Sequence, residues 1–116
     1  MADDIRQLVI DTASLIAEAA GTQTIAIDVA ELSGVSDYMI VTTVQSYAQL
    51  QGLMSRLDQS LTEAGIQPRN PTKRPKDDMW AYIDCGNFII HIMRPEARSF
   101  YELEKLWREG TVLFQQ

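Results

Sequence analysis

Few side chains in this sequence have the types and spacing that catalysis requires. The chain holds one histidine, His91, and one cysteine, Cys85, close enough in sequence to pair a thiol nucleophile with an imidazole base. His91 has apolar neighbours, however, and this setting is more typical of a structural or interface histidine. No residue near Cys85 would obviously lower the pKa of its thiol, so a turn or contact role is the simpler interpretation.

The aspartates Asp28, Asp37 and Asp84 fall at predicted strand ends or turns, where a mixed α/β fold can hold catalytic residues. Aspartates at such positions more commonly accept hydrogen bonds from backbone amides and stabilise turns. No pair of them has Asp-x-Asp spacing, and Gly34 and Gly52 do not form a glycine-rich phosphate loop. Cysteine and histidine do not cluster as metal ligands do. The sequence therefore predicts no catalytic residue, metal or cofactor, and the alternative is an enzyme that uses Asp28, Asp37 or Asp84 with a divalent metal.

Length and charge limit the remaining classes of function. The 116 residues suit one domain, residues 1–116, with a single hydrophobic core. The net charge of −6 disfavours direct binding of DNA, because phosphate contacts need clustered lysine and arginine, but it suits a basic protein partner. The sequence shows no signal peptide and no apolar run long enough to span a bilayer. We therefore expect a cytoplasmic protein that binds neither DNA nor a membrane.

The segment that organises the predicted fold is Met79–Met93, with the sequence M-W-A-Y-I-D-C-G-N-F-I-I-H-I-M. It contains two runs that are rich in aromatic and β-branched residues. Between these runs, Gly86 and Asn87 can supply the positive φ angles of a tight turn. The pattern therefore predicts a β-hairpin.

Both faces of this hairpin carry apolar residues. Trp80 and Tyr82 share one face of the first strand, and the hairpin brings them near Asn87 and His91. Tryptophan and tyrosine are the side chains most often found as interface anchors, but core positions beneath a helix explain the pattern equally well. Since both faces are apolar, each must be covered, either by the protein's own helices or by a partner.

The rest of the chain completes a sheet with flanking helices. The predicted fold is of the α/β class, a mixed β-sheet of about five strands flanked by helices. Ile66 and Gln67 are predicted as a brief edge strand, and the final six residues as a loose tail. The other predicted elements are a helix at 3–20, strands at 24–29 and 38–44, a turn at 33–37, a long helix from its N-cap Ser46 to Gly65, and a last helix from Pro95 to Gly110.

A proline-rich basic segment separates the long helix from the hairpin. Prolines interrupt regular structure between residues 68 and 78, and four of the ten basic residues lie there. These four are Arg69, Lys73, Arg74 and Lys76. A solvated loop is the general expectation for such a segment, and the alternative is a contact loop for phosphate or an acidic partner.

Three segments of the chain together resemble a known family. They read S-D-Y-M-I-V-T-T-V-Q-S, W-A-Y-I-D-C-G-N-F-I-I-H-I-M and R-S-F-Y-E-L-E-K-L-W. In content, order and separation they resemble the ribosome silencing factor family, also called Iojap-like proteins. The resemblance covers nearly the whole chain, from about Ile5 to Trp107.

The resemblance implies a translation repressor and not an enzyme. Members of the family bind the large ribosomal subunit through the large-subunit ribosomal protein numbered fourteen. They thereby block joining of the small subunit under starvation or in stationary phase. The family fold is similar to that of nucleotidyltransferases but lacks their catalytic residues, so the enzyme alternative is a nucleotidyltransferase-like enzyme that uses one of the three aspartates. Some members are homodimers when free, and a homodimer that uses the same sheet face is a further alternative.

The resemblance also implies a partner-binding surface. Trp80 and Cys85 correspond to the family's tryptophan that opens the hairpin and to its residue just before the glycine. A larger apolar or aromatic residue is usual at the position of Cys85. The basic loop Lys73–Lys76 is a second departure, which either contacts ribosomal RNA or has no role. We predict that the exposed sheet face and hairpin dock on the ribosomal protein. The predicted contact residues are Trp80, Tyr82, Asp84, Cys85, Asn87 and His91.

Overall fold

A mixed five-stranded sheet is the framework of the molecule in the computed structural model, which describes residues 2–19, 22–33, 36–69, 80–101 and 109–116. The strand order is β3-β4-β2-β1-β5, with β2 and β4 parallel and the other neighbouring pairs antiparallel. The predicted α/β class, a mixed sheet of about five strands flanked by helices, is confirmed. In chain order the elements are α1 (Ala2–Ala19), β1 (Thr22–Asp28), α2 (Ala30–Ser33), β2 (Tyr38–Thr43), α3 (Tyr47–Glu63), β3 (Trp80–Asp84), β4 (Phe88–Met93), α4 (Pro95–Tyr101) and β5 (Thr111–Gln115).

Helices α1 and α3 cover one face of the sheet, which we call the inner face. Both helices are amphipathic, and their apolar side chains meet those of the strands in the main hydrophobic cluster. Burial of these side chains is the main force that holds the helices on the sheet. The largest fully buried members of the cluster are Phe88, Ile16, Ile40, Leu50, Leu53, Leu57, Leu61, Ile90 and Ile92.

Capping bonds fix both ends of α3. At its start, the Ser46 Oγ accepts a hydrogen bond from the Gln49 backbone N–H at 3.1 Å, so the predicted N-cap is confirmed. At its end, Gly65 adopts a φ of +77°, which glycine tolerates without steric cost. The Gly65 N–H donates to the Thr62 carbonyl at 3.0 Å. The helix therefore ends where the sequence predicts.

Ile66 and Gln67 do not form a strand, and this prediction was wrong. The Ile66 N–H donates to the Leu61 carbonyl at 2.8 Å, which completes a Schellman motif at the end of α3. The Ile66 side chain packs against the main cluster. Its backbone and its side chain are therefore both engaged in ending the helix.

The final residues form a strand, so the prediction of a loose tail was also wrong. Strand β5 pairs antiparallel with β1, and reciprocal backbone bonds of 2.9 Å between Gln116 and Thr24 extend the pairing. Phe114 packs against the main cluster. The β-branched and aromatic residues of this segment suit a strand. No local turn marks the pairing, however, because the partner strand lies near the other end of the sequence.

Helix α4 packs on the opposite face of the sheet, which we call the outer face. Its Arg98, 5 % exposed, donates from Nη1 to the Gln23 carbonyl and to the Thr43 Oγ1, each at 2.6 Å. Both faces of the sheet are thus covered, at least in part, by the protein's own helices. The apolar side chains between α4 and the sheet form a second hydrophobic cluster. Its buried residues are Ile25, Ile27, Val29, Val41, Met93 and Ala97, with Met39 and Trp80 packed against them.

Other predicted elements differ in their bounds or lie outside the described residues. Strand β1 begins at Thr22, two residues before the predicted start. The short helix α2 was not predicted, and it ends at Ser33, the first residue of the predicted turn. The last helix begins at Pro95 as predicted, but its predicted continuation passes through residues 102–108, which are not described. Met79, Gly34 and the basic loop Lys73–Lys76 also lie outside the described residues.

Candidate protein-interaction surface

The hairpin turns at its glycine, as predicted. Gly86 adopts a φ of +84°, and its N–H donates to the Asp84 Oδ1 at 2.9 Å. Asn87 does not adopt a positive φ, so that part of the turn prediction was wrong. The Asn87 carbonyl instead accepts hydrogen bonds from the N–H groups of Asp37 and Tyr38 at 3.1 and 3.2 Å. Asn87 therefore joins the hairpin to the start of β2.

Alternation along β3 sorts its side chains between the two faces of the sheet. Ala81 and Ile83, each 5 % exposed, belong to the main cluster on the inner face. Trp80, Tyr82 and Asp84 consequently lie on the outer face, because successive strand side chains point to opposite sides. The predicted division of this strand is confirmed.

The antiparallel register completes the outer surface of the hairpin. Tyr82 pairs with His91, and Asp84 pairs with Ile89. We call the outer-face residues Trp80, Tyr82, Asp84, Ile89 and His91 the hairpin face. Four of the six predicted contact residues meet there. The other two, Cys85 and Asn87, belong to the connection between the strands.

Two aromatic side chains of the hairpin face are accessible to different degrees. Tyr82 is 48 % exposed, whereas Trp80 is half-buried and packs against the second cluster. Trp80 therefore contributes to the protein's own packing and also keeps part of its surface exposed. This position agrees with both interpretations from the sequence, a core residue and an interface residue. Tyr82 is therefore the more accessible of the two aromatic side chains.

A direct hydrogen bond joins Trp80 to His91. The Trp80 Nε1 donates to the His91 Nδ1 at 3.1 Å, and the ring centroids are 5.6 Å apart at an angle of 44°. Because an indole nitrogen only donates, Nδ1 must be unprotonated, and the neutral imidazole carries its proton on Nε2. Burial supports this state, because it lowers the pKa of His91 to about 4.

Cys85 is half-buried and packs against the main cluster. Its backbone N–H donates to the Phe88 carbonyl at 2.9 Å, inside the turn. Burial, and then the neighbouring Asp84 carboxylate, raise the pKa of its thiol to about 12. The thiol is therefore neutral at physiological pH, a poor state for a nucleophile.

The candidate carboxylates stabilise local structure. The Asp28 Oδ1 accepts from the Ala30 N–H at 3.1 Å, and the Asp84 Oδ1 accepts from the Gly86 N–H. These are the turn roles that aspartates at such positions commonly have. Among the described residues, no group of three or more histidine, cysteine or acidic side chains is arranged to hold a metal ion. No helix in the described part of the chain is long and apolar enough to cross a membrane.

The sequence missed two features of this surface. Ile89 lies half-buried on the hairpin face, on the same side of β4 as His91, but it was not among the predicted contact residues. The bond between Trp80 and His91 joins diagonal neighbours on adjacent strands, and their sequence spacing does not reveal side-chain geometry.

Comparison with known proteins decides the family. A family model described as "Ribosomal silencing factor during starvation" matches residues 2–115. The chain belongs to this family. Ribosomal silencing factor RsfS of Zymomonas mobilis is 34 % identical over 84 residues, or 72 % of this chain and 62 % of that protein. RsfS of Haemophilus influenzae is 34 % identical over 87 residues, or 75 % of this chain and 84 % of that protein. The match thus spans less than two thirds of the Zymomonas protein.

A solved structure has the same architecture. The crystal structure of a protein from Chromobacterium violaceum is similar with a TM-score of 0.74 and 27 % identity, and covers 90 % of this chain and 84 % of that chain. The resemblance seen in the three sequence segments is therefore confirmed. Membership of the family supports a ribosome-associated role in silencing translation.

Proposed function

We propose that this protein represses translation by binding the large ribosomal subunit and sterically blocking its association with the small subunit. The contact is made through the large-subunit ribosomal protein numbered fourteen, chiefly under starvation or in stationary phase. The hairpin face is the docking surface. The observation that carries this assignment is Tyr82, a large aromatic side chain that is 48 % exposed beside Trp80 and His91. The proposal places the protein in the cytoplasm.

The six predicted contact residues have different parts in this proposal. Tyr82 and Trp80 are the anchors, since aromatic side chains dominate the energetics of many interfaces. Asp84 contributes negative charge at the border of the hairpin face, which suits a basic ribosomal protein. The remaining residues shape the surface: His91 pairs with Tyr82 across the hairpin and accepts the Trp80 hydrogen bond, and Cys85 and Asn87 form the connection that borders it.

The first test is sedimentation of the purified protein with ribosomal subunits on sucrose gradients. One magnesium concentration should allow the subunits to join, and a second should keep them apart. We expect the protein to migrate with the large subunit only, and to reduce the amount of joined ribosomes. Migration with neither subunit would contradict the proposed function.

A matched pair of substitutions tests the docking surface. Tyr82→Ala truncates an exposed aromatic side chain on β3, and Val112→Ala truncates an aliphatic side chain that is 44 % exposed on β5, at the other edge of the sheet. We expect Tyr82→Ala to weaken large-subunit binding by roughly thirtyfold, the size of an interface hot spot, and Val112→Ala to have little effect. Equal losses in the two variants would contradict docking through the hairpin face.

Trp80→Ala is expected to abolish binding while the fold persists, but its interpretation needs a stability measurement. Trp80 packs against the second cluster, so its truncation also removes internal contacts. Circular dichroism of the variant separates the two effects. Loss of the fold in Trp80→Ala would show that Trp80 is mainly a core residue.

A homodimer through the same surface is a second candidate, favoured by the exposure of Tyr82 on an apolar sheet face. Sedimentation equilibrium of the wild type and of Tyr82→Ala tests it without ribosomes. We expect a dimer that uses the hairpin face to dissociate in Tyr82→Ala. A dimer that persists in this variant, while large-subunit binding is lost, would place the two interfaces on separate surfaces.

A further inference from the structure

Trp80 contacts both the second cluster and a residue on the neighbouring strand. Trp80 pairs directly with Met93 across the hairpin, and His91 is its diagonal neighbour. The half-buried indole could rotate about its side-chain bonds, but packing on the second cluster and the 3.1 Å bond to His91 Nδ1 both restrict it. Two independent contacts therefore select one orientation of the ring.

We propose that His91 is a positioning residue for Trp80, which it holds with the indole N–H turned inward, so that the partner meets only carbon atoms of the ring. This inference rests on the proposed function and adds the chemistry of the partner at this point. The partner's site for Trp80 is apolar and supplies no hydrogen-bond acceptor.

The hydrogen-bonding inventory of the two rings supports this assignment. Nε1 is the only polar atom of the indole, and it donates to His91. The rest of the side chain is hydrocarbon, which gains free energy when a partner removes it from water. An acceptor on the partner would have to displace His91 Nδ1 and leave it buried without a donor, which costs free energy.

Fixing the ring before docking also lowers the entropy lost on binding. Immobilising a large side chain at an interface weakens association by roughly twofold to tenfold. A ring that is already held in the free protein avoids that loss. Removal of the acceptor at position 91 should therefore weaken binding through Trp80, in addition to any change in the contact that residue 91 itself makes.

Two substitutions of nearly equal shape separate the acceptor from the packing of His91. His91→Asn places an amide oxygen near the position of Nδ1, whereas His91→Leu has the same branched shape without an acceptor. We expect His91→Leu to bind the large subunit roughly threefold to tenfold more weakly than His91→Asn, because only the asparagine keeps the acceptor for the indole N–H. Equal affinities of the two variants would overturn the inference.

A measurement on the free protein shows whether the ring itself has changed. In a ¹⁵N-labelled sample, the indole N–H resonance of Trp80 is assigned by its absence in Trp80→Phe. We expect this resonance to keep its shift and slow solvent exchange in His91→Asn. In His91→Leu it should move upfield and exchange faster. An unchanged resonance in His91→Leu would overturn the positioning role.

Double variants complete the test. If the acceptor at position 91 acts through the indole N–H, then His91→Leu and His91→Asn should bind equally in a Trp80→Phe background, which lacks that N–H. A difference between the two that persists in this background would show that position 91 acts independently of Trp80, contrary to the inference. Absence of large-subunit binding by the wild type would instead refute the proposed function, and with it this inference. His91→Phe, which also lacks an acceptor, replaces His91→Leu if the latter fails to fold.

Discussion

At the scale of single residues, Cys85 illustrates how the surroundings of a reactive side chain decide its chemistry. The sequence shows a lone thiol in a turn, a setting in which cysteines are often accessible. In the structure, the thiol packs against the main cluster beside the Asp84 carboxylate, and its pKa rises to about 12. Both the burial and the negative charge disfavour the thiolate.

This environment predicts slow alkylation of Cys85 by iodoacetamide. With a pKa near 12 in place of 9.0, the thiolate fraction at pH 8 falls by roughly a thousandfold relative to the unfolded chain. We expect the reaction in native buffer to be slower by at least two orders of magnitude than in urea. The unfolded protein is its own control, because the chain has one cysteine. Native and unfolded rates within about tenfold of each other would contradict the burial of the thiol.

The residues of the candidate surface were predictable in part because strand alternation is a strict geometric rule. Trp80, Tyr82 and His91 share the outer face, as their spacing implies. The position of Cys85 was less predictable, since alternation does not extend into a turn. Whether a residue on a given face is exposed depends on which helices cover that face, and this is a tertiary property. Only the structure distinguishes the exposed Tyr82 from the half-buried Trp80.

At the scale of elements, the errors occurred where local signals and long-range pairing disagree. The β-branched character of β2 and the caps of α3 are local, and both elements appeared within a few residues of their predicted bounds. Strand β5 is stabilised by β1, a segment far away in sequence, so no local motif marks it. Ile66 has the composition of a strand residue, but its N–H bond to Leu61 serves the preceding helix.

Helix α4 depends on a buried cation that tertiary structure alone reveals. The Arg98 guanidinium reaches from this helix to the Gln23 carbonyl and to the Thr43 hydroxyl, both at 2.6 Å. Gln23 has a φ of +50°, which is unfavourable for a residue with a side chain. The bond from Arg98 therefore contributes to holding a strained backbone at the start of β1.

Replacement of Arg98 by methionine should test this attachment. Arg98→Met keeps much of the side-chain volume but leaves two acceptors without their donor, so we expect a loss of about 2–4 kcal/mol in the free energy of unfolding. The matched control is Arg56→Met on α3, where the arginine is exposed, and we expect a change below about 0.5 kcal/mol. Urea titrations followed by circular dichroism measure both. Similar values for the two variants would contradict a structural role for the buried bonds.

At the scale of the whole molecule, charge determines how the protein approaches a ribosome. The chain has ten basic and sixteen acidic residues, with a net charge of −6. Ribosomal RNA is polyanionic and repels such a molecule at long range, whereas a basic ribosomal protein attracts it. The hairpin face carries Asp84 beside its apolar residues, which suits a basic protein surface. The sign of the salt dependence therefore reports which class of surface the protein meets first.

The association rate with the isolated ribosomal protein numbered fourteen should fall as salt rises. Between about 50 and 500 mM salt, screening of opposite charges should slow association by roughly tenfold, with a smaller change in the dissociation rate. Biolayer interferometry with the immobilised ribosomal protein measures both rates.

The control removes the positive charges of the basic loop by Lys73→Ala, Arg74→Ala and Lys76→Ala together. This triple variant should bind the isolated protein at least as fast as the wild type, because it is more acidic. On complete large subunits, slower binding by the triple variant would show that the loop contacts RNA. A wild-type association rate that rises with salt would contradict attraction to a basic protein surface.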